Sequence, residues 1–388
     1  RHVCSFTSQS AHGGCVNAAR VTDGEWAAGE DAAHVMGRHR RRSVGVGLPD
    51  PCSSLTSGED THLPCSRSAA PGHDHIAGML AFVTYAGNMR VAIGGSTGLI
   101  GTALATRLRE EGHDVVTLTR HEPSQPSDRH WDPSSLSIDP PYLDDVDAVV
   151  NLAGAPIAGS RWTDDYKDTL MSSRVNSTRL VVQALESSSR CRIFLSGSAV
   201  GFYGAHCGDR WLYEDDRSGS GFLAQVCRSW EEAAASAPQR VRVATLRTGQ
   251  VISPSGGFLG KERPLFQFGL GGKVGDGRQY LSWISLDDHI SAMVKILTDD
   301  TITGPVNLTG PAPATNAQFT KALAKALHRP AVVPFPTPIA KAVLGPELVD
   351  ETICAGQRVK PAKLLDHGFE FRDTTIAESI ASALAQRR

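Results

Sequence analysis

Three glycines between residues 95 and 101 have the spacing of a phosphate-binding turn. Gly95, Gly98 and Gly101 follow a short apolar run, and apolar residues at helical spacing come directly after them. A pyrophosphate binds backbone N–H groups at the start of a helix, where side chains would be in the way. Gly95 permits the tight turn, Gly98 lets the backbone approach the phosphates, and Gly101 lets the helix pack on its strand. The alternative is an ordinary strand-to-helix turn, but strand, turn and helix in this order favour a dinucleotide site.

A second stretch indicates which dinucleotide would bind. The predicted strand at 114–119 ends in Thr119 and is followed by Arg120. Many nucleotide-binding sheets have an acidic residue at this point, which accepts hydrogen bonds from the ribose hydroxyls. No acid is present here, and a guanidinium can donate paired hydrogen bonds to a 2′-phosphate. This favours NADP(H) over NAD(H) as the cofactor; the alternative is that Arg120 is a surface arginine without a ligand.

Two further predicted strands lead into small or polar residues. The strand at 147–151 runs into a turn of small residues, and the strand at 192–195 runs into Ser196. In an open parallel sheet, ligands bind just outside the carboxyl ends of the strands. The predicted cofactor-binding residues are therefore Gly95, Ser96, Thr97, Gly98, Leu99, Ile100, Gly101, Arg120, Asn151, Leu152, Ala153, Gly154 and Ser196.

These residues must be positioned by alternating strands and helices, and the chain from Met89 onward has that pattern. The pattern predicts an α/β fold, with a Rossmann-type doubly wound parallel sheet and a smaller C-terminal substrate or lid domain. The first helix is predicted at 102–111, and later helices at 316–327 and 338–344. Residues 357–361 are predicted to form a basic turn.

The domain boundaries follow from the same pattern. Residues 89–254 are predicted to form the NAD(P)-binding domain, and residues 282–310 to return to it. Residues 255–281 and 311–388 are predicted to form the smaller domain. A substrate would then lie between the two, since pockets commonly form at domain interfaces.

Composition excludes several classes of protein. The chain has 388 residues, of which 40% are hydrophobic, and a net charge of -2. This charge gives no reason to expect nucleic acid or an anionic membrane as a partner, and no apolar run approaches the ~20 residues of a membrane span. The eight cysteines do not indicate a disulfide scaffold. We expect a cytoplasmic protein whose cysteines from residue 191 onward are free thiols and bind no metal.

The first 88 residues differ from the rest of the chain. They are rich in Gly, Ser, His and Arg and have no sustained period of 2 or 3.6. His12 and Cys15, and likewise His62 and Cys65, have a ligand-like spacing that would fit a zinc site. The alternative, which we favour, is an unstructured extension, because no pattern of strands or helices holds the two pairs in place.

From Met89 to its end, the chain resembles the epimerase-like family of extended, atypical short-chain dehydrogenase/reductases. The resemblance lies in the stretches GGSTGLIG, NLAGAPI, SGSAVGFYG, GFLAQVCRSWE, LRTGQVIS, GLGGKVGDGRQYLSWI and LTGPAPATN. Members are often named nucleoside-diphosphate-sugar epimerases and have their own C-terminal domain. The resemblance implies a Rossmann-type fold and a nicotinamide cofactor, but it does not identify a substrate.

The same resemblance implies a catalytic set that this chain only partly has. Extended reductases and epimerases act through a serine, a tyrosine and a lysine, and matching the motif places the serine at Ser198. Phe222 and Val226 occupy the spacing of the tyrosine and lysine, and neither can exchange a proton. Tyr203 or Tyr213 could replace the tyrosine, although Tyr203 could equally be a core ring with a bonded hydroxyl. Glu214 is another candidate, or else part of a solvated acidic turn.

Two functions follow from these observations. The first is an NADP(H)-dependent oxidoreductase or epimerase that acts on a small polar molecule, such as a nucleotide sugar. The second is an NADPH-binding sensor or regulatory module without turnover, which the absence of the tyrosine and lysine supports. The oligomeric state does not follow from the sequence, and a homodimer is one candidate.

Overall fold

The computed structural model describes residues 87–139 and 143–386. The predicted extension lies outside these ranges except for its last two residues, and so does the zinc site considered there. Within the described ranges, a 3₁₀ helix covers Val200–Tyr203 and a π-helix covers Val349–Ile353.

Strands and helices alternate along most of the described chain. The strands are β1 (Arg90–Gly94), β2 (Asp114–Thr119), β3 (Asp128–Asp132), β4 (Ser137–Ile138), β5 (Ala148–Asn151), β6 (Ile193–Ala199), β7 (His206–Leu212), β8 (Arg242–Thr248), β9 (Gln250–Ile252), β10 (Tyr280–Leu281), β11 (Trp283–Ser285), β12 (Gly304–Leu308), β13 (Ala314–Thr315) and β14 (Gly356–Val359). The α-helices are α1 (Leu99–Glu110), α2 (Asp164–Ser187), α3 (Phe222–Ala235), α4 (Gly257–Gln267), α5 (Leu286–Thr298), α6 (Asn316–Leu327), α7 (Thr337–Leu344), α8 (Pro346–Leu348), α9 (Ala362–Asp366) and α10 (Ile376–Ala385).

One large sheet organises the described chain, with strand order β12-β8-β6-β5-β1-β2-β3-β4. β1 pairs in parallel with both β2 and β5, and parallel pairing continues outward to β3 and to β12. Only β4 is antiparallel within this sheet. The strand order reverses between β1 and β5, and ligands bind outside the carboxyl ends of the strands at such a point. The predicted doubly wound, Rossmann-type α/β fold is confirmed.

Helices cover both faces of this sheet, which explains why its central strands are continuously apolar. Val91 and Ile93 of β1 belong to a core shared with α1 and α5, whereas Ala92 belongs to the core on the opposite face, under α2 and α3. This division follows from the alternation of side chains along a strand. The two cores fix β1 and the turn that leaves its end.

A third core lies outside the large sheet. Phe266 of α4, Phe319 of α6 and Ile380 of α10 pack with Trp283 of β11. The bounds of two helices in this region agree closely with the sequence pattern. α6 ends at its predicted residue, and α7 begins one residue earlier than predicted. The predicted limits of the smaller domain remain a prediction.

Two local predictions were wrong. The first helix begins at Leu99, three residues before its predicted start. The predicted basic turn at 357–361 is largely β14, which pairs in parallel with β7; its partner lies far away in the sequence, so local composition could not reveal it. No helix of the described ranges is both long and apolar enough to cross a membrane.

Candidate functional site

The glycine turn between β1 and α1 has no room for side chains. Gly95 has a φ of 79°, and a Cβ there would lie 2.8 Å from the carbonyl carbon of Leu152. A Cβ on Gly101 would overlap the Gly95 carbonyl oxygen. Gly98 forms the N-cap of α1 without a side-chain hydrogen bond, so the first N–H groups of the helix have no side-chain cap. The turn therefore presents backbone donors at a helix start, as an anion requires.

A tryptophan lies beneath this turn. Trp131, at the end region of β3, is 2% exposed. A Cβ on Gly94 would lie 2.9 Å from the Cη2 atom of this indole and 3.0 Å from Asn151 Oδ1. The indole thus supports the end of β1 from below, and the absence of a side chain at Gly94 allows this close packing.

α2 holds the opposite wall of the site, the loop that follows β5. The helix starts at the N-cap Thr163, whose hydroxyl accepts from Tyr166 N. Ala155 N donates to Ser173 Oγ at 3.0 Å, and Arg174 Nη2 donates to Ala155 O at 2.9 Å. These bonds join the loop to two successive residues of α2, so the loop has one fixed position.

Asn151 fixes the same loop from its other end. Its Oδ1 accepts from Ala153 N at 3.1 Å, and its Nδ2 lies 3.1 Å from Ser177 Oγ and 3.2 Å from Thr178 Oγ1. The side chain is fully buried. Asn151 therefore positions the wall of the site, and its amide is not free to contact a ligand.

The carboxyl ends of β1, β2, β3 and β5, together with α2, enclose a cavity of about 570 Å³. This cofactor cavity is lined by Gly95, Ser96, Thr97, Gly98, Leu118, Thr119, Arg120, His121, Trp131, Asp132, Pro133, Ser134, Leu152, Ala153, Gly154, Ala155, Pro156, Thr169, Ser172, Ser173 and Asn176. It lies at the point where the strand order of the sheet reverses, the expected place for a ligand in this fold.

Most of the predicted cofactor residues lie in this lining. The structure brings together Gly95, Ser96, Thr97, Gly98, Arg120, Leu152, Ala153 and Gly154. It does not place Leu99, Ile100, Gly101, Asn151 or Ser196 there. The side chains of Leu99 and Ile100 pack on the core beside α1, and Ser196 is fully buried, with its Oγ 3.4 Å from Gly197 O.

Sequence reasoning missed the contributions of β3 and α2. Trp131 and Asp132 come from a proline-rich stretch without a clear period, and Thr169, Ser172, Ser173 and Asn176 face the cavity from a long helix. A signal for the helix residues was available, because positions 169, 172, 173 and 176 have the spacing of one helical face. For β3, only the pairing with β2 reveals the site.

The cavity fits a dinucleotide on structural grounds. The backbone packs so closely at Gly95 and Gly101 that neither position has room for a Cβ, which is the tight turn that a pyrophosphate-binding loop requires. Arg120 is exposed, and its guanidinium has no protein partner among the described residues. A volume of about 570 Å³ is also within the range of ordinary ligand pockets.

Ser198 does not line the cofactor cavity. It is 5% exposed, and its Oγ donates to Glu231 Oε1 at 2.6 Å. Glu231 in turn forms a two-point ion pair with Arg247, with both N···O distances at 2.9 Å. The catalytic role of Ser198 therefore remains a prediction, and its hydroxyl is joined to a buried ion pair.

Tyr203 is enclosed within the protein. Its hydroxyl lies 2.6 Å from Asn307 Oδ1 and 2.9 Å from Tyr213 O, and it accepts from Arg247 Nη1 at 3.0 Å. Burial raises the pKa of this hydroxyl to about 12, although the Arg247 cation acts in the opposite direction. A catalytic role stays a prediction for Tyr203; the hydrogen bonds favour the other interpretation, a core ring with a bonded hydroxyl.

Glu214 is not in a solvated turn. The residue is 7% exposed, and one carboxylate oxygen accepts from the backbone N–H groups of Asn307 and Lys363, at 3.2 and 3.1 Å. Two peptide groups from distant parts of the chain therefore compensate its burial.

The N-terminus of α3, where the family's tyrosine would lie, is occupied from within the chain. The N–H groups of Phe222 and Leu223 donate to the two carboxylate oxygens of Glu351, each at 2.7 Å. The Phe222 ring contacts Trp162 at 5.1 Å between centroids, and Val226 is buried in the packing of the helix. The described residues at this end of α3 thus present neither a phenol nor an amine at the two positions.

Comparison with known proteins places the chain among related sequences. A model of the NAD dependent epimerase/dehydratase family matches residues 91–309, and a domain of unknown function, DUF1731, matches residues 335–383. Epimerase family protein Mb2239 of Mycobacterium bovis is 45% identical over 297 residues, which cover 76% of this chain and 98% of that protein.

Two solved structures are also similar. The human epimerase family protein SDR39U1, solved with NADPH, has a TM-score of 0.71 and 29% identity; the match covers 76% of this chain and 99% of that one. A nucleoside-diphosphate sugar epimerase from Corynebacterium glutamicum has a TM-score of 0.65 and 38% identity; the match covers 77% of this chain and 59% of that one. The family model matches this chain, the match to the Mycobacterium bovis relative covers most of both proteins, and the fold is shared with the solved structures. The chain therefore belongs to the NAD dependent epimerase/dehydratase family.

Proposed function

We propose that the chain binds NADP(H) in the cofactor cavity and acts as an oxidoreductase or epimerase on a small polar substrate. The observation that carries this proposal is the presence of Arg120 in the same lining as the glycine turn. Backbone donors at the start of α1 suit a pyrophosphate, and an exposed guanidinium at the end of β2 suits a 2′-phosphate. One cavity thus offers both kinds of anion contact.

Two relatives support the cofactor and the substrate class. The human relative is solved with NADPH, and the Corynebacterium glutamicum relative is named a nucleoside-diphosphate sugar epimerase. A nucleotide sugar is therefore the first substrate class to test. A bound nicotinamide would supply hydride exchange, while the chain's own residues bind and orient the dinucleotide.

The second candidate function is an NADPH-binding regulatory module without turnover. It is favoured by α3, whose Phe222 and Val226 stand at the positions of the family's tyrosine and lysine. The enclosed hydroxyl of Tyr203 also favours it, because a buried phenol with a raised pKa is a poor proton donor.

Single-turnover oxidation of bound NADPH separates the two functions. The enzyme proposal predicts oxidation with at least one member of a panel of carbonyl compounds and sugar nucleotides. Ser198→Ala should then lower the rate, whereas Phe222→Ala should leave the rate largely unchanged. NADPH binding without oxidation by any panel member would favour the regulatory module, and a large rate loss in a folded Phe222→Ala variant would contradict the assigned roles.

A further inference from the structure

We propose that Asp132 is a specificity residue that acts against Arg120 and limits the preference for NADP(H). This inference rests on the proposed cofactor site. The sequence has no acid at the end of β2, but the structure brings one into the cavity from the neighbouring strand, β3. The ligand group that both side chains would meet is the 2′ position of the adenosine ribose, a phosphate in NADP(H) and a hydroxyl in NAD(H).

The strand register places the two charges at the same edge of the sheet. β2 and β3 are parallel neighbours, and Thr119 pairs with His130. Arg120 is one residue beyond this pair on β2, and Asp132 is two residues beyond it on β3. Adjacent strands lie about 5 Å apart, and both residues line the cofactor cavity. A ligand that reaches Arg120 therefore comes under the influence of Asp132.

The carboxylate of Asp132 has a fixed orientation. Oδ1 accepts from Ser134 N at 2.9 Å and from Ser134 Oγ at 2.6 Å, and Oδ2 accepts from Ser135 Oγ at 2.8 Å. The hydrogen bonds from Ser134, and then from Ser135, lower the pKa of this carboxyl to about 2. Asp132 is therefore ionised at neutral pH, and none of the ion pairs found in the described ranges involves it.

A fixed, uncompensated negative charge has opposite effects on the two cofactors. It repels a 2′-phosphate, which partly offsets the attraction by Arg120. It can also accept a hydrogen bond from a 2′-hydroxyl, because a carboxylate oxygen can accept more than one hydrogen bond and the only side-chain bond to Oδ2 given by the described residues comes from Ser135 Oγ. The site thus has a recognition group for each form of the ribose, and the balance between Arg120 and Asp132 sets the preference.

The variant Asp132→Asn tests this balance. An asparagine has the same shape and keeps an oxygen to accept from Ser134 N, so the local turn is retained. We expect NADPH to bind about two- to fivefold more tightly, the range for a partly exposed charge. We expect NADH to bind about two- to tenfold more weakly, because a charge-assisted acceptor is lost. Both dissociation constants are measured by calorimetry at two salt concentrations, and the gain for NADPH should shrink at high salt.

Asp128→Asn is the matched control. Asp128 lies on the same strand and also accepts from a serine, with Ser124 N and Ser124 Oγ both at 3.0 Å, but it is absent from the cavity lining. Its substitution removes the same charge and should change the ratio of the two dissociation constants by less than twofold. An equal change in both variants would show a general effect of net charge and would overturn the proposal for Asp132.

A second variant covers the case in which Asp132→Asn does not fold. Ser135→Ala keeps the charge and removes one hydrogen bond from Oδ2, so it should weaken NADPH binding and strengthen NADH binding. An unchanged ratio in whichever of these variants folds would overturn the role of Asp132 while the cofactor site stands. Binding of neither nucleotide by the unmodified chain would overturn both the cofactor site and this inference.

Discussion

At the residue scale, Arg247 shows how a buried charge is accommodated in this fold. The guanidinium pairs with Glu231, donates to Tyr203 Oη and Glu214 O, and lies 3.5 Å from the ring centroid of Phe202. The N–H groups of this guanidinium thus donate to oxygens of the protein, and such pairing is the condition for a stable buried ion pair. The network explains why Tyr203 and Glu214 belong to the protein interior and not to a surface site.

His289 gives the clearest pH dependence at this scale. It is fully buried, and burial lowers the pKa of its imidazole to about 4, whereas an unfolded histidine has a pKa of about 6.5. Between these values the unfolded state binds a proton that the folded state does not. The stability provided by the neutral imidazole is therefore complete above about pH 6.5 and decreases as the pH falls towards 4.

We predict that His289→Leu reduces the loss of stability in acid. Between pH 7 and pH 4.5 the histidine accounts for roughly 2–3 kcal/mol of the decrease in the free energy of unfolding. Urea denaturation of both proteins at the two pH values measures this difference, and only the change with pH is compared. The same decrease in both proteins would contradict a neutral, buried His289.

At the scale of elements, the start of α1 is a place where a substitution should remove cofactor binding without preventing the chain from folding. Gly98 has φ of -77° and ψ of 168°, which any residue can adopt, and a Cβ there would lie 3.3 Å from Gly95 O. Gly98→Val should therefore fold and yet cover the N–H groups at the helix start. We expect no detectable NADPH binding by calorimetry, with the far-UV circular dichroism spectrum retained.

Gly101 is the comparison for this variant. Its Cβ would overlap the Gly95 carbonyl, a backbone atom that cannot move without distorting the turn. Gly101→Ala should lower the melting temperature by several degrees, since a strained turn costs of the order of 1–3 kcal/mol. Unchanged NADPH affinity in Gly98→Val would show that the phosphates do not lie against this turn.

The elements also show what the sequence could predict. The glycine turn, β2 and α6 depend on local patterns, and their positions were predicted to within a few residues. The place of Asp132 depends on the pairing of β3 with β2, and β14 depends on its pairing with the distant strand β7. α4 contains Gly257, Gly260 and Pro264, which weaken any helical pattern, and it was missed for that reason.

At the scale of the whole molecule, the C-terminal segment closes onto the helices of the sheet. Glu351 caps α3 across 129 residues of sequence, and Glu347 forms an ion pair with Lys167 of α2. Such contacts have no local signal, because only the folded chain brings the partners together. The family resemblance indicated that Phe222 departs from the usual pattern. It could not show that the Phe222 N–H donates to Glu351, because this contact forms only in the folded chain.

The central claim is that one cavity recognises NADP(H) through the glycine turn and Arg120. Its most direct test is a calorimetric titration of NADPH and NADH against the unmodified chain and Arg120→Ala. Charge-assisted hydrogen bonds from one guanidinium predict a preference for NADPH of about ten- to a hundredfold. Arg120→Ala should lose about this factor for NADPH and leave NADH binding nearly unchanged, with a smaller difference at high salt. Equal affinity of the unmodified chain for both nucleotides would contradict the assignment.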